Sequence, residues 1–255
     1  MLLRALPGLC ATFALLLSAC GTFEKDPTSK WDADRLLTEA RGEMAISSWV
    51  RAREYLEKLE TRFPFTRHAQ QAQMEIAYTY YKEGESAQAI TAADRFIKLN
   101  PNHPNIDYVY YIKGLASFND DLGLFGRALG QDPTTRDPKA MREAFDVFRE
   151  LASRYPDSRY TVDARARMNW LVNALAQSEV NIARFYYLRG AYVASIQRAQ
   201  GALREFSGAP AAEDALGILL LSYRGLGMAD LQADTARVIQ KNFPNSRFLQ
   251  PNPKL

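Results

Sequence analysis

The sequence predicts an all-α protein, a superhelix of about ten helices grouped as five helix pairs. Three observations predict it. Similar phrases close helical stretches along the 255 residues: TRFP at 61–64, KLNP at 98–101, SRYP at 153–156 and KNFP at 241–244, with a degenerate copy, REFS, at 204–207. Upstream of each phrase lie two amphipathic helical patterns. Small residues recur where the two helices of a pair would cross, with large ones around them. Recurrence of this kind marks a stacked array, in which each unit buries its apolar face against its neighbours.

The pattern is that of the tetratricopeptide repeat, ~34 residues of two helices and a closing proline. The first repeat is recognisable in its second helix, through Ala52, Leu56, Leu59 and Pro64. The second runs from Gln70 through Ile76, Ala77, Tyr80, the turn residue Gly84, Ala89 and Pro101. The third places Tyr110 at a large position and Gly114 at a small one, then continues through Ala144, Phe148, Leu151 and Pro156. The fourth runs from Ala176 through Ile182, Ala183, Tyr186 and Gly190 to Ser195 and Ala199. The fifth runs from Glu213 through Leu216, Leu219, Tyr223 and Gly227 to Pro244. In the fifth, Leu220 and Gln232 stand where small residues are expected, so its helices should cross less closely.

Two departures from a plain array stand out. The Gly- and Asp-rich stretch from Asn119 to Pro138, NDDLGLFGRALGQDPTTRDP, reads as a loop inserted in the third repeat. Beyond Pro156 no proline or glycine occurs before Gly190. One long helix is therefore predicted from about Ser158 to Arg189, roughly 48 Å at 1.5 Å per residue. It would join repeats one to three to repeats four and five.

The first twenty residues, MLLRALPGLCATFALLLSAC, read as a secretory signal: Arg4, an apolar run to Leu17, then small residues. Leu17-Ser18-Ala19-Cys20 resembles the bacterial lipobox, in which cleavage precedes a cysteine that carries diacylglycerol and an N-acyl chain. Cys10 would leave with the signal, so Cys20 would be consumed by lipid and no disulfide would remain. Several acyl chains anchor a protein stably where one does not. Gly21 in place of the Asp that retains lipoproteins at the inner membrane resembles the outer-membrane pattern. The expected organisation is a signal at 1–19, a lipidated tether at 20–30, N-terminal repeats at 31–156, the long helix with C-terminal repeats at 157–244, and a tail at 245–255.

Catalytic chemistry is poorly supplied. His68 and His103 are the only histidines, and His103, in NPNHPN, reads as a turn residue rather than a zinc ligand. GLGMAD at 225–230 follows a helix, so it is no dinucleotide loop, and neither a Gly-x-Ser-x-Gly elbow nor a P-loop occurs. No cofactor is expected beyond the lipid on Cys20. Without Arg4, 31 basic residues face 29 acidic ones, a net charge near +2 with no basic block, which argues against a nucleic-acid partner.

Repeat arrays act through a concave surface lined by their first helices. Repeat positions 2, 5, 9 and 12 point there. In the second repeat these are Gln71, Met74, Tyr78 and Tyr81; in the third, Tyr108, Tyr111, Leu115 and Phe118. Such rings bury apolar side chains while their hydroxyls bond to peptide groups, a surface suited to extended peptides. The competing reading has these rings packed against other parts of the same chain. The Lys and Asn of a two-carboxylate chaperone clamp are missing from these positions.

With a lipobox ahead of five repeats, RFPFTRHAQQAQMEIAYTYYKEG, RFIKLNPNHPNIDYVYYIKGL and above all LNPNHPNIDY, the chain resembles the BamD (ComL) family of lipoproteins of the outer-membrane β-barrel assembly machinery. The resemblance covers essentially the whole mature chain. It implies a non-enzymatic scaffold, lipid-anchored on the periplasmic face of the outer membrane. The C-terminal half would bind the last periplasmic domain of the BamA subunit, with Arg198 in GAYVASIQRAQGALREF at a basic position implicated in that contact. The N-terminal half would receive unfolded barrel precursors through their aromatic C-terminal signal, and companion lipoproteins of the complex would dock along the array. A secretin pilotin built from the same repeats, or a peptidoglycan-acting enzyme, are the other readings the sequence leaves open.

Overall fold

The computed structural model describes residues 26–120, 138–251 and 253. The expected signal, Cys20 and most of the inserted loop lie outside these residues. Among the described residues ten α-helices follow one another: α1 Ala33–Ala45, α2 Trp49–Arg62, α3 Arg67–Glu83, α4 Ser86–Leu99, α5 Ile106–Asp120, α6 Pro138–Arg154, α7 Thr161–Leu188, α8 Tyr192–Glu205, α9 Ala212–Gly225 and α10 Ala229–Asn242. A short 3-10 turn, Arg247–Leu249, closes the array, and there is no strand among the described residues. Each helix packs on the next, and α3 also touches α1 and α5, as α9 touches α7. The fold is an all-α stack of five helix pairs.

Local chemistry sets the helix ends. Asp32 and Thr66 cap α1 and α3 by accepting from the backbone N–H of Arg35 and Ala69. The turn inside a pair needs a left-handed residue, which Gly84, Gly190 and Gly227 supply at φ 84°, 73° and 70°. The first pair makes the corresponding turn with Ser47 at φ 61°, where a side chain is strained.

Close crossings use the small residues. A Cβ on Gly114 would come within 2.5 Å of the Phe148 ring, so α5 and α6 approach only because that atom is missing. In α8, the buried Ser195 hydroxyl donates to the Ala183 carbonyl at 2.9 Å and accepts from Ser222 at 3.1 Å, which satisfies two hydroxyls between three helices. One buried cluster runs from Met74 in α3 to Tyr223 in α9 through α7, so the sequence division at 156 and 157 falls inside continuous core.

The long helix is real but shorter than expected. It has 28 residues, about 42 Å, and starts at Thr161 rather than Ser158. The reason is a turn after Pro156: Ser158 N–H bonds to the Tyr155 carbonyl, and the Thr161 hydroxyl reaches back to the same carbonyl at 2.7 Å.

Two segments outside the expected repeats are packed. Residues 26–30 of the expected tether are docked: the Asp26 carboxylate takes Thr28, Lys58 and Arg62, and Arg62 also bonds to the Thr28 carbonyl. At the other end, Phe248 of the expected tail is buried against Gly217 of α9, whose missing Cβ makes room for the ring. Asp214 holds that segment by pairing with both Arg247 and Arg184.

Candidate functional site

A recess lies between the first three helix pairs. On α3, residues 71, 74, 75 and 78 are spaced to share one face. The next first helix, α5, brings Tyr108 alongside. Gln71, Met74, Glu75, Tyr78 and Tyr108 therefore form the inner wall of a recess of about 570 Å³. Arg41 and Met44 of α1 close one end, and the turn residues Arg159 and Tyr160 close the other.

The loop NPNHPN joins α4 to α5, and Pro104 and Asn105 of that loop line the recess. His103 is its pivot. Its ring packs edge-on to the buried Phe96 at 5.2 Å, and its Nδ1 lies 3.1 Å from the Asn105 N–H. Burial lowers its pKa, which favours the neutral ring that accepts this bond. It is a turn residue, as its sequence context suggested.

The recess is aromatic inside and mixed in charge, with Arg41 and Arg159 lining it together with Glu75 and Asp107. Tyr108 lies 5.6 Å from Tyr160 between ring centroids, and burial pushes its phenol pKa up. Tyr78 is wedged edge-on against Trp49 at 6.0 Å. The guanidinium of Arg159 sits over the Tyr160 ring at 4.8 Å, and Arg41 reaches the mouth from α1. Glu75 is the one buried carboxylate on this wall. Its Oε1 takes Arg41 at 2.6 Å and Gln71 at 2.7 Å, while its Oε2 is buried without a partner. The arrangement offers apolar ring faces, two cations at the mouth and one unused acceptor in the wall.

The expected groove residues divide. Met74, Tyr78 and Tyr108 meet in this recess, Met74 as a buried part of its wall. Tyr81 is a neighbour of Tyr78, at 6.5 Å between centroids, but does not line the recess. Tyr111 and Phe118 are roofed by the start of α7. Tyr111 stacks on Tyr160 at 4.8 Å and donates its hydroxyl to Asp163 at 2.8 Å. Phe118 packs against Trp170 at 5.2 Å, under the Arg167 guanidinium. For these two rings the chain itself occupies the surface that the repeat pattern leaves open.

Repeat positions alone missed Arg41, Glu75, Arg159 and Tyr160. Glu75 carried a signal, a lone acid inside the apolar face of MEIAY. Arg159 and Tyr160 precede the long helix, outside any repeat position, and nothing in the repeat pattern points to them.

A family model described as an outer membrane lipoprotein, YfiO, matches residues 30–239. The outer membrane protein assembly factor BamD of Neisseria meningitidis serogroup B is 45% identical over 247 residues, covering 95% of this chain and 92% of the relative. The chain belongs to the BamD family. The BamD proteins of Vibrio cholerae, 35% identical over 208 residues, and Xylella fastidiosa, 33% identical over 242, match 82% and 95% of this chain and 86% and 83% of their own lengths. No described helix is long and apolar enough to cross a membrane.

Far from the recess, Arg198 of α8 is half-exposed and pairs at 3.2 Å with Glu179 of α7, a carboxylate only 14% exposed. Glu179 therefore fixes the direction in which the guanidinium is presented.

Proposed function

We propose that this chain is a non-enzymatic scaffold of the outer-membrane β-barrel assembly complex, anchored to the periplasmic face of that membrane by lipid on Cys20. The recess between α1, α3 and α5 receives the aromatic C-terminal segment of unfolded barrel precursors. The observation that carries this reading is the meeting of Met74, Tyr78 and Tyr108 in one recess that Arg159 and the Glu75-paired Arg41 also line. Aromatic side chains of the segment bury against the tyrosine faces, and its terminal carboxylate is drawn to the guanidinium groups at the mouth.

The C-terminal repeats bind the periplasmic domain of BamA, with Arg198 presented by Glu179 as one contact. Companion lipoproteins of the complex dock elsewhere along the array. Separating the two surfaces by about 27 Å along α7, from Thr161 to Glu179, lets one chain hold a precursor while attached to the subunit that inserts it. Affinity purification from membranes tests the reading. Recovery of BamA with the intact chain supports it, and recovery of a secretin in its place would replace it with the pilotin reading.

A further inference from the structure

Residues 26–30 leave the fold at a fixed point, and that point is next to an unusual side chain. Arg62, the last residue of α2, grips Asp26 and the Thr28 carbonyl, and Lys58 adds a second cation to Asp26 at 3.2 Å. Three residues further on, Phe65 is 100% exposed, the most exposed of the large apolar side chains described. It is not on a loose loop. The Phe63 carbonyl accepts from both the N–H and the hydroxyl of Thr66, and Thr66 caps α3, so the Phe63–Thr66 turn is pinned at both ends. Arg67, exposed, follows it and makes no ion pair among the described residues.

The chain outside the structure supplies the occupant. If Cys20 carries lipid, six Cα steps separate it from Asp26, about 20 Å at full extension. The acyl chains end at the membrane, so Asp26 of the clasp lies within that distance of the headgroups, and the Phe65 turn begins one residue after its partner Arg62. Lys58 and Arg62 are engaged with Asp26, while exposed Lys30 and Arg67 make no ion pair among the described residues and offer positive charge that anionic headgroups attract. An apolar ring among cations at a surface is what an interfacial contact requires.

We propose that the Phe65 turn is a second membrane contact, inserted at the headgroup level of a bilayer containing anionic lipid, and that the Asp26–Arg62 clasp holds it there. This rests on lipidation at Cys20. The contact sets the orientation of the first repeat, and hence of the recess, relative to the bilayer.

The test uses the full lipidated chain, with Phe65→Cys or Val238→Cys labelled by one environment-sensitive dye, in vesicles of phosphatidylethanolamine and phosphatidylglycerol. Val238 is an exposed control on the last helix, α10. Spin-labelled lipid should quench the dye at position 65 several-fold more than at 238. Asp26→Ala should bring quenching at 65 down toward that at 238 without releasing the protein from the vesicles. Equal quenching at both sites in vesicle-bound protein overturns the membrane contact alone. Persistence of quenching at 65 in Asp26→Ala overturns the role of the clasp. Failure of the unsubstituted chain to stay on the vesicles, matched by Cys20→Ala, overturns the lipid anchor and the contact together.

Discussion

Tyr111 of α5 lies nearly parallel to Tyr160, their ring centroids 4.8 Å apart and their planes 20° from coplanar. Tyr160 is thus shared. One side of its surroundings roofs Tyr111, and the other closes the recess beside Tyr108 at 5.6 Å. Tyr160→Ala should therefore open the recess and destabilise the array by about 1–3 kcal/mol. Tyr160→Phe, which keeps the stack, should stay within about 0.5 kcal/mol of the parent. Urea unfolding of the two variants separates these outcomes.

Tyr108, Tyr110 and Tyr111 are adjacent, and all three are held protonated. Burial, with Glu150 beside it, pushes Tyr110 up to about 12; burial and the bond to Asp163 push Tyr111 up to about 12. A phenol pKa raised in the fold contributes stability that is present below its ordinary value near 10 and lost as pH rises through 12. Stability should fall over that window, and Tyr111→Phe should flatten the fall. Near-ultraviolet phenolate absorbance combined with unfolding curves checks it.

Asp26 shows the opposite sign. Its backbone and side-chain bonds to Thr28, aided by Lys58, lower its pKa to about 2. The contribution of the clasp is present above the ordinary carboxylate value and lost as pH falls from about 4 toward 2. Protection of the Thr28–Lys30 amides from exchange, relative to the intrinsic rate at each pH, should therefore be lost over that window in the parent and be absent at every pH in Asp26→Ala.

Two backbone substitutions should move stability in opposite directions. Gly114→Ala drives a methyl into Phe148 and should cost about 1–3 kcal/mol. Ser47→Gly relieves a left-handed residue and should add roughly 0.5–1 kcal/mol, despite the freedom glycine gains when unfolded. Thermal unfolding of both reads this directly.

These contrasts also mark what was legible in the sequence. Gly84, Gly190 and Gly227, the proline ends and the unbroken run past Pro156 carried the repeat architecture, because each states a local backbone requirement. The first helices were placed well enough to bring Met74, Tyr78 and Tyr108 together. What the pattern could not state was which rings the chain would cover itself. The pairing of Tyr111 with Tyr160 and of Phe118 with Trp170 depends on where α7 begins, and the four residues between Pro156 and Thr161 decide that. The docking of Asp26 and Phe248 was likewise invisible, since each rests on a distant partner, Arg62 or Gly217.

Arg198→Glu would set a second carboxylate beside the largely buried Glu179. Capture of the BamA periplasmic domain should weaken while binding of a barrel C-terminal peptide is unchanged. Equal loss of both would instead indicate general damage to the array.

The central claim is that the recess holds the precursor signal, and peptide affinity tests it most directly. Fluorescence titration of a barrel C-terminal peptide should show the Tyr78→Ala, Tyr108→Ala double variant binding at least about tenfold more weakly than the parent, ~1.4 kcal/mol, while its circular dichroism is unchanged. Parent affinity in a folded double variant would contradict the account.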